Sequence, residues 1–118
     1  MSAPGTAYDD EKIGGKDPQP AHMRDYADLP NTDEGDYGGV HINSGIPNFA
    51  FYKVAIALGG YSWDEAGKIW YRTLTNPKLK PNATFKKFAD ITSEVALADY
   101  GQDAKDVVVK AWKDVGVY

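Results

Sequence analysis

The stretch "PNFAFYKVAIAL", residues 47–58, decides the fold class. Asn48, Tyr52 and Lys53 are its only side chains with a polar group, so apolar surface runs nearly all round a helical projection. Pro47 suits a first helical turn, where a missing amide hydrogen removes no intrahelical bond. Gly59 and Gly60 then stop the run. A helix that is apolar on almost every side belongs inside a bundle. Residues 47–58 are therefore read as the central and most buried helix.

Three more segments downstream carry the helical period. Residues 63–76, "WDEAGKIWYRTLTN", place Trp63, Ala66, Trp70 and Leu74 on one stripe, with Ser62 and Glu65 at capping-box spacing. Residues 85–99 follow Thr84 as N-cap and stop at Gly101, with Phe85, Phe88, Ala89, Val95 and Ala96 as the inner face. Residues 104–115, with Asp103 as N-cap, carry Val107, Val108, Ala111, Trp112 and Val115 on one face, and Gly116 is the expected C′ residue. Strand signals are weak: the "VVV" of 107–109 lies inside a helical pattern. These periods predict an all-α fold, a compact bundle of four to five helices.

Upstream the chain changes character. Residues 1–36 hold nine acids against three bases, a net −6, which leaves +2 on residues 37–118 of a chain whose total is −4. Pro4, Pro18, Pro20 and Pro30 punctuate this acidic third, and "GGKDPQP" and "DLPNTDEGD" are turn chemistry. Residues 1–35 are read as a long irregular acidic arm, and residues 36–118 as the helical domain. An irregular segment of that length inside one domain is unusual, so it is functional or mobile.

Composition narrows the function. The chain has no basic stripe for nucleic acid and no apolar run near the roughly 20 residues that span a bilayer. The start "MSAPGTAYDDEK" lacks the basic and apolar regions of a signal peptide. The absence of cysteine removes disulfides, thiolate catalysis and cysteine-ligated zinc.

The candidate chemistry sits in "DYGGVHINSG", residues 36–45. His41 is one of two histidines in the chain. Asp36 stands five residues before it, and Gly38 and Gly39 permit a tight turn or a close approach. A carboxylate on one imidazole nitrogen would fix the tautomer and favour the imidazolium. Such a pair serves as a general base, as part of a triad, or as a hydrogen-bond donor to an oxyanion. Ser44 lacks a G-x-S-x-G elbow. His22 lacks a spaced partner, H-E-x-x-H is absent, and no EF-hand calcium loop is present. The donor role remains, and it needs a reaction centre supplied from elsewhere. The plain alternative is that Asp36 and His41 form a structural hydrogen-bond device.

"GGVHINSGIPN" followed by an apolar helix resembles the C-terminal lobe of thermolysin-like zinc metalloendopeptidases. The resemblance continues through "GKIWYRTLT", a helix ending in "DYG", and "VVVKAWKDVGV". The arm, through "APGTAYDD" and "GKDPQPAHM", resembles the protealysin-like branch. The resemblance implies an upstream lobe that carries zinc on H-E-x-x-H and a later glutamate, with calcium a further candidate in the full enzyme. It implies that His41 donates a hydrogen bond to the oxygen that becomes negative as water attacks a peptide carbonyl, and that Asp36 orients the ring. Tyr37 stands where the family often has asparagine. An arginine that binds the substrate carbonyl is expected in an R-S-M stretch ahead of the arm, with Met1 as its methionine.

The expectation is thus one lobe of a peptidase that hydrolyses peptide bonds, inactive and without tight zinc binding by itself. Its partners would be the zinc-bearing N-terminal lobe and a peptide or protein substrate, with no nucleic acid and no membrane, and its location extracellular and bacterial. The arm is expected to be loosely ordered without that lobe. The alternative is a stand-alone protein-interaction module derived from a peptidase lobe. A third reading is an independent metalloenzyme using His22, His41 and acids of the arm.

Overall fold

The structure is a computed structural model that describes residues 1–61 and 64–118. Ser62 and Trp63, read above as a helix cap and part of a core stripe, lie outside the described residues. The helices are α1 (Asp36–Asn43), kinked by left-handed backbone at Asp36 to Gly39, α2 (Gly45–Leu58), α3 (Glu65–Leu74), α4 (Phe85–Tyr100) and α5 (Gln102–Asp114). Ahead of them, β1 (Asp9–Asp10) pairs antiparallel with β2 (Gly15–Lys16), and short 3-10 turns cover Glu11–Ile13 and Met23–Asp25. The all-α reading holds, with this two-stranded hairpin as its one addition among the described residues. No described helix is long and apolar enough to cross a membrane.

The most buried helix is α4, not α2. Six α4 residues are buried, from Ala89 to Ala96. On α2 the buried side chains are Ile46, Ala50 and Val54, a narrow line at four-residue spacing. Ile56, on another side of the same helix, is 65% exposed. An all-round apolar pattern shows what a helix can bury; the neighbours α3 and α5 cover only part of it. The stripe on α3 also shifts. Ala66, Ile69 and Thr73 are buried with Trp70 partly so, whereas Leu74 is 62% exposed. Positions 66, 69, 70 and 73 follow the i, i+3, i+4, i+7 period, and residue 74 falls past its edge.

An aromatic stack ties α2, α3, α4 and α5 together. Trp70 and Trp112 lie parallel, 5.8 Å between ring centroids and 11° between planes. Phe88 meets both edge-on at 6.0 Å, and Phe51 meets Trp70 edge-on at 5.2 Å. Each such pair contributes about 0.5–1.5 kcal/mol beyond its buried area. Trp112 is fully buried, and its indole N–H donates to Thr92 Oγ1 at 2.9 Å. A tryptophan buried this deeply needs that partner, because its N–H has left water.

The helix ends follow local chemistry. Thr84 caps α4 by accepting from the Lys87 amide at 3.1 Å. α5 begins at Gln102 and is capped at Gly101, so Asp103 sits in the first turn instead of capping it. Gly101, at φ 93°, turns the chain from α4 into α5 by itself, which leaves no room for a separate cap two residues later. Gly116, at φ 81°, closes α5: its amide reaches Lys113 O and the Val117 amide reaches Trp112 O, both at 3.0 Å. This pair of bonds is a Schellman motif.

The arm lies against the bundle at several points. The Met23 amide donates to Val115 O at 2.8 Å, Tyr26 meets Phe85 edge-on at 6.2 Å, and the Ala27 amide donates to Asn43 Oδ1 at 2.9 Å. The His22 ring covers Gly116 so closely that any Cβ there would collide with it.

Two substitutions check this account. Thr92→Val should remove about 1–3 kcal/mol in denaturant unfolding by leaving the Trp112 N–H buried without an acceptor. A loss below about 0.5 kcal/mol would mean that the indole finds another partner. Gly116→Ala should destabilise at least as much, because the new Cβ combines a strained positive φ with a collision against His22.

Candidate active site

Four consecutive residues bring the site about. Asp36 (φ 54°), Tyr37 (φ 49°), Gly38 (φ 82°) and Gly39 (φ 76°) all adopt left-handed backbone before the chain enters the right-handed turns of Val40–Asn43. The glycines take this conformation freely, but Asp36 and Tyr37 meet a clash between Cβ and the backbone of about 1–2 kcal/mol each. Something must hold them there. The turn's own amides contribute: Tyr37 N reaches Thr32 O at 2.8 Å and Gly38 N reaches Pro30 O at 2.9 Å. The Asp36 carboxylate does the rest. Its Oδ2 accepts from the amides of His41 at 2.8 Å and Ile42 at 3.0 Å, capping the segment that follows. Its Oδ1 lies 2.6 Å from His41 Nδ1.

Those contacts hold the Asp36 carboxyl below the usual carboxylate range. The hydrogen bond with the His41 ring contributes most and the Ile42 amide next, while partial loss of water opposes them. Asp36 is therefore ionised at neutral pH, and an ionised carboxylate only accepts. His41 Nδ1 must carry the proton, which leaves Nε2 as the outward nitrogen. The His41 side chain is 86% exposed, so that nitrogen is open to whatever lies above it.

Beside the pair is a cavity of about 390 Å³, walled by Asp36, His41 and Ile42 on one side and by Tyr8, Asp17 and Gln19 of the arm on the other. A larger cavity, about 630 Å³, opens on the far side of the loop among Met23, Tyr26, Gly39, Val40 and Phe85. Its lining brings no carboxylate or imidazole, whereas the smaller one holds both Asp36 and His41.

The structure joins Asp36 to His41, as their spacing suggested. It does not join Ser44 to the imidazole: Ser44 Oγ donates to the His41 carbonyl oxygen at 2.5 Å. His22 is occupied elsewhere, accepting from the Arg24 amide at 3.0 Å and capping the 3-10 turn after it. No group of three or more His, Cys, Asp or Glu among the described residues is placed to hold a metal ion.

Two contributors were not legible in the sequence. Asn43, 2% exposed, donates through Nδ2 to Ala27 O and accepts from Ala27 N through Oδ1, both at 2.9 Å. Gly39 makes room for it: a Cβ there would lie 2.6 Å from Asn43 Nδ2. Gln19 Nε2 donates to the His41 carbonyl at 3.0 Å. Neither an asparagine at the end of α1 nor a single glutamine between prolines carries a local signal of a partner 16 or 22 residues away.

Known proteins share this arrangement of chain. A family model described as the thermolysin metallopeptidase alpha-helical domain matches residues 1–117. An extracellular metalloprotease of Pectobacterium carotovorum is 55% identical over 99% of this chain and 32% of its own length. A bacillolysin of Bacillus subtilis is 44% identical over 84% of this chain and 18% of its own. The precursor of protealysin, a metalloproteinase from Serratia proteamaculans, superposes at a TM-score of 0.92 with 53% identity, covering 100% of this chain and 35% of that one. The chain thus spans about a third or less of the length of these relatives. Its match to one family model along nearly its whole length, together with that close structural likeness, establishes that the chain belongs to the thermolysin metallopeptidase family, as its alpha-helical domain.

Proposed function

We propose that this domain supplies the hydrogen-bond donor of a zinc-dependent endopeptidase, with His41 as the donor and Asp36 as the residue that orients it. The observation that carries the reading is the 2.6 Å contact between Asp36 Oδ1 and His41 Nδ1 beneath an imidazole open to solvent. The zinc of such an enzyme does not fit the residues present here. His41 offers one free ring nitrogen, its carboxylate neighbour is committed to three donors, and the described residues gather no third ligand. The metal therefore belongs to an upstream lobe, where it would polarise the scissile carbonyl, and that lobe is the partner of this domain.

The chemistry left to this chain is electrostatic. As water adds to a peptide carbonyl, the oxygen gains negative charge. A doubly protonated His41 ring would present Nε2–H to that oxygen while the Asp36 carboxylate accepts from Nδ1–H behind it. Asp36 keeps one proton on Nδ1, so the ring donates from Nε2 only when it is doubly protonated; the neutral ring would offer a lone pair there. Preorganised donors of this kind act most strongly where the charge develops in the transition state. The substrate is a peptide or protein bound along the cavity between His41 and the arm, and the enzyme works outside the bacterial cell, as the name of the Pectobacterium relative suggests.

In the full-length peptidase carrying this domain, His41→Ala should lower kcat about 100- to 1,000-fold with little change in KM. An unchanged kcat would remove the donor role. A second expectation follows from the depressed carboxyl of Asp36. Its stabilising bonds are fully present above the ordinary value of 3.8 and are lost as pH falls through the lowered folded value. The stability difference between the native chain and Asp36→Asn should therefore be level above pH 4 and shrink below it. Urea unfolding at a series of pH values reads this directly, and a difference that grew on acidification would contradict the assignment.

A further inference from the structure

His41 is held at three points, and the third lies outside the Asp36 pair. Asp36 takes the ring through Nδ1 and the backbone amide through its own Oδ2. The carbonyl oxygen of His41 is a separate anchor. It accepts from Ser44 Oγ at 2.5 Å and from Gln19 Nε2 at 3.0 Å, and Gln19 Nε2 also lies 3.3 Å from Ser44 Oγ.

The two donors do different work. Ser44 belongs to the same turn as His41 and moves with it. Gln19 comes from 22 residues upstream and stands on the opposite wall of the cavity. It is itself firmly placed. Its amide donates to Asp17 Oδ1 at 3.1 Å, the other oxygen of Asp17 accepts from Ala7 N at 3.2 Å, and Asp17 is 7% exposed. The turn then presses on the start of α2. A Cβ on Gly45 would come within 2.6 Å of Pro20 O and 3.0 Å of Gln19 Cβ. Gly45 is thus what lets the arm approach closely enough for the Gln19 amide to reach.

The geometry points to Gln19 as a positioning residue, whose side-chain amide pins the His41 carbonyl and so sets the imidazole relative to the facing wall of the substrate cavity. The inference rests on the donor role proposed for His41. An imidazole that is 86% exposed has almost no packing to locate it, so its placement depends on these hydrogen bonds. Losing the Gln19 anchor leaves the Asp36 pair intact but frees the turn to shift against the arm. Small misplacements of a reacting group are costly in rate without being costly in binding.

The test uses the full-length peptidase. Gln19→Met keeps the stem that packs on Gly45 and removes the donor. It should lower kcat about tenfold with KM unchanged. In the His41→Ala background the same substitution should cost nothing further, because Gln19 acts only through His41. Gln19→Glu, equal in size but without a donor above its carboxyl pKa, should reproduce the loss and replaces the methionine variant if that one does not fold. An equal loss in both backgrounds overturns the inference, as does a raised KM with kcat held. If His41→Ala alone leaves kcat intact, the donor reading fails first, and that result is read independently of any Gln19 variant.

Discussion

One carboxylate carries the site. Asp36 sits in a left-handed turn that two of its four residues enter at a cost, and it accepts three hydrogen bonds from the turn's far end. The same oxygens that stabilise the strained backbone set the tautomer and direction of His41. Local folding and chemistry are therefore one constraint: loosening the turn would disorder the imidazole, and turning the imidazole away would remove a bond that holds the turn. Strain at such a place persists because its surroundings over-determine it. Tyr37 makes the point from the other side. It takes φ 49° while 57% exposed, so hydrogen bonds and not its own packing hold it: its amide to Thr32 O, and the Asp36 bonds across the turn.

The helical bundle serves as the platform for that turn. α2 starts at Gly45, directly after it, and is held by the stack of Phe51, Trp70, Phe88 and Trp112. Trp112 is locked in turn by Thr92. The packed core thus begins within a few residues of His41, at Ile46, and the arm adds contacts from outside. Asn43 clamps Ala27, Val115 receives Met23, and Gln19 reaches the His41 carbonyl. The acidic segment is both a wall of the cavity and a set of struts. Polar bonds are the main contacts through which this stretch, poor in apolar residues, meets the bundle.

The described residues of this domain pair one exposed imidazole with a carboxylate and gather no metal-holding cluster. Its one exposed imidazole is spent on a carboxylate at one nitrogen, and its other histidine caps a 3-10 turn beneath Gly116.

The sequence by itself determined the helices and the pairing. Apolar period placed α2 to α5 within a few residues, because a helix that must bury one face repeats its side chains every 3.6 positions. The spacing of Asp36 and His41 across two glycines suggested their contact, because few backbone paths join residues so near. Tertiary structure decided the rest. Which apolar face is covered depends on the neighbours, so α4 and not α2 became the most buried helix, and Leu74 stayed in water. Asp103 lost the capping role because Gly101 alone turns the chain between α4 and α5. Gln19 and Asn43 acquired their partners from 22 and 16 residues away, and no local period records a hydrogen bond made across that distance.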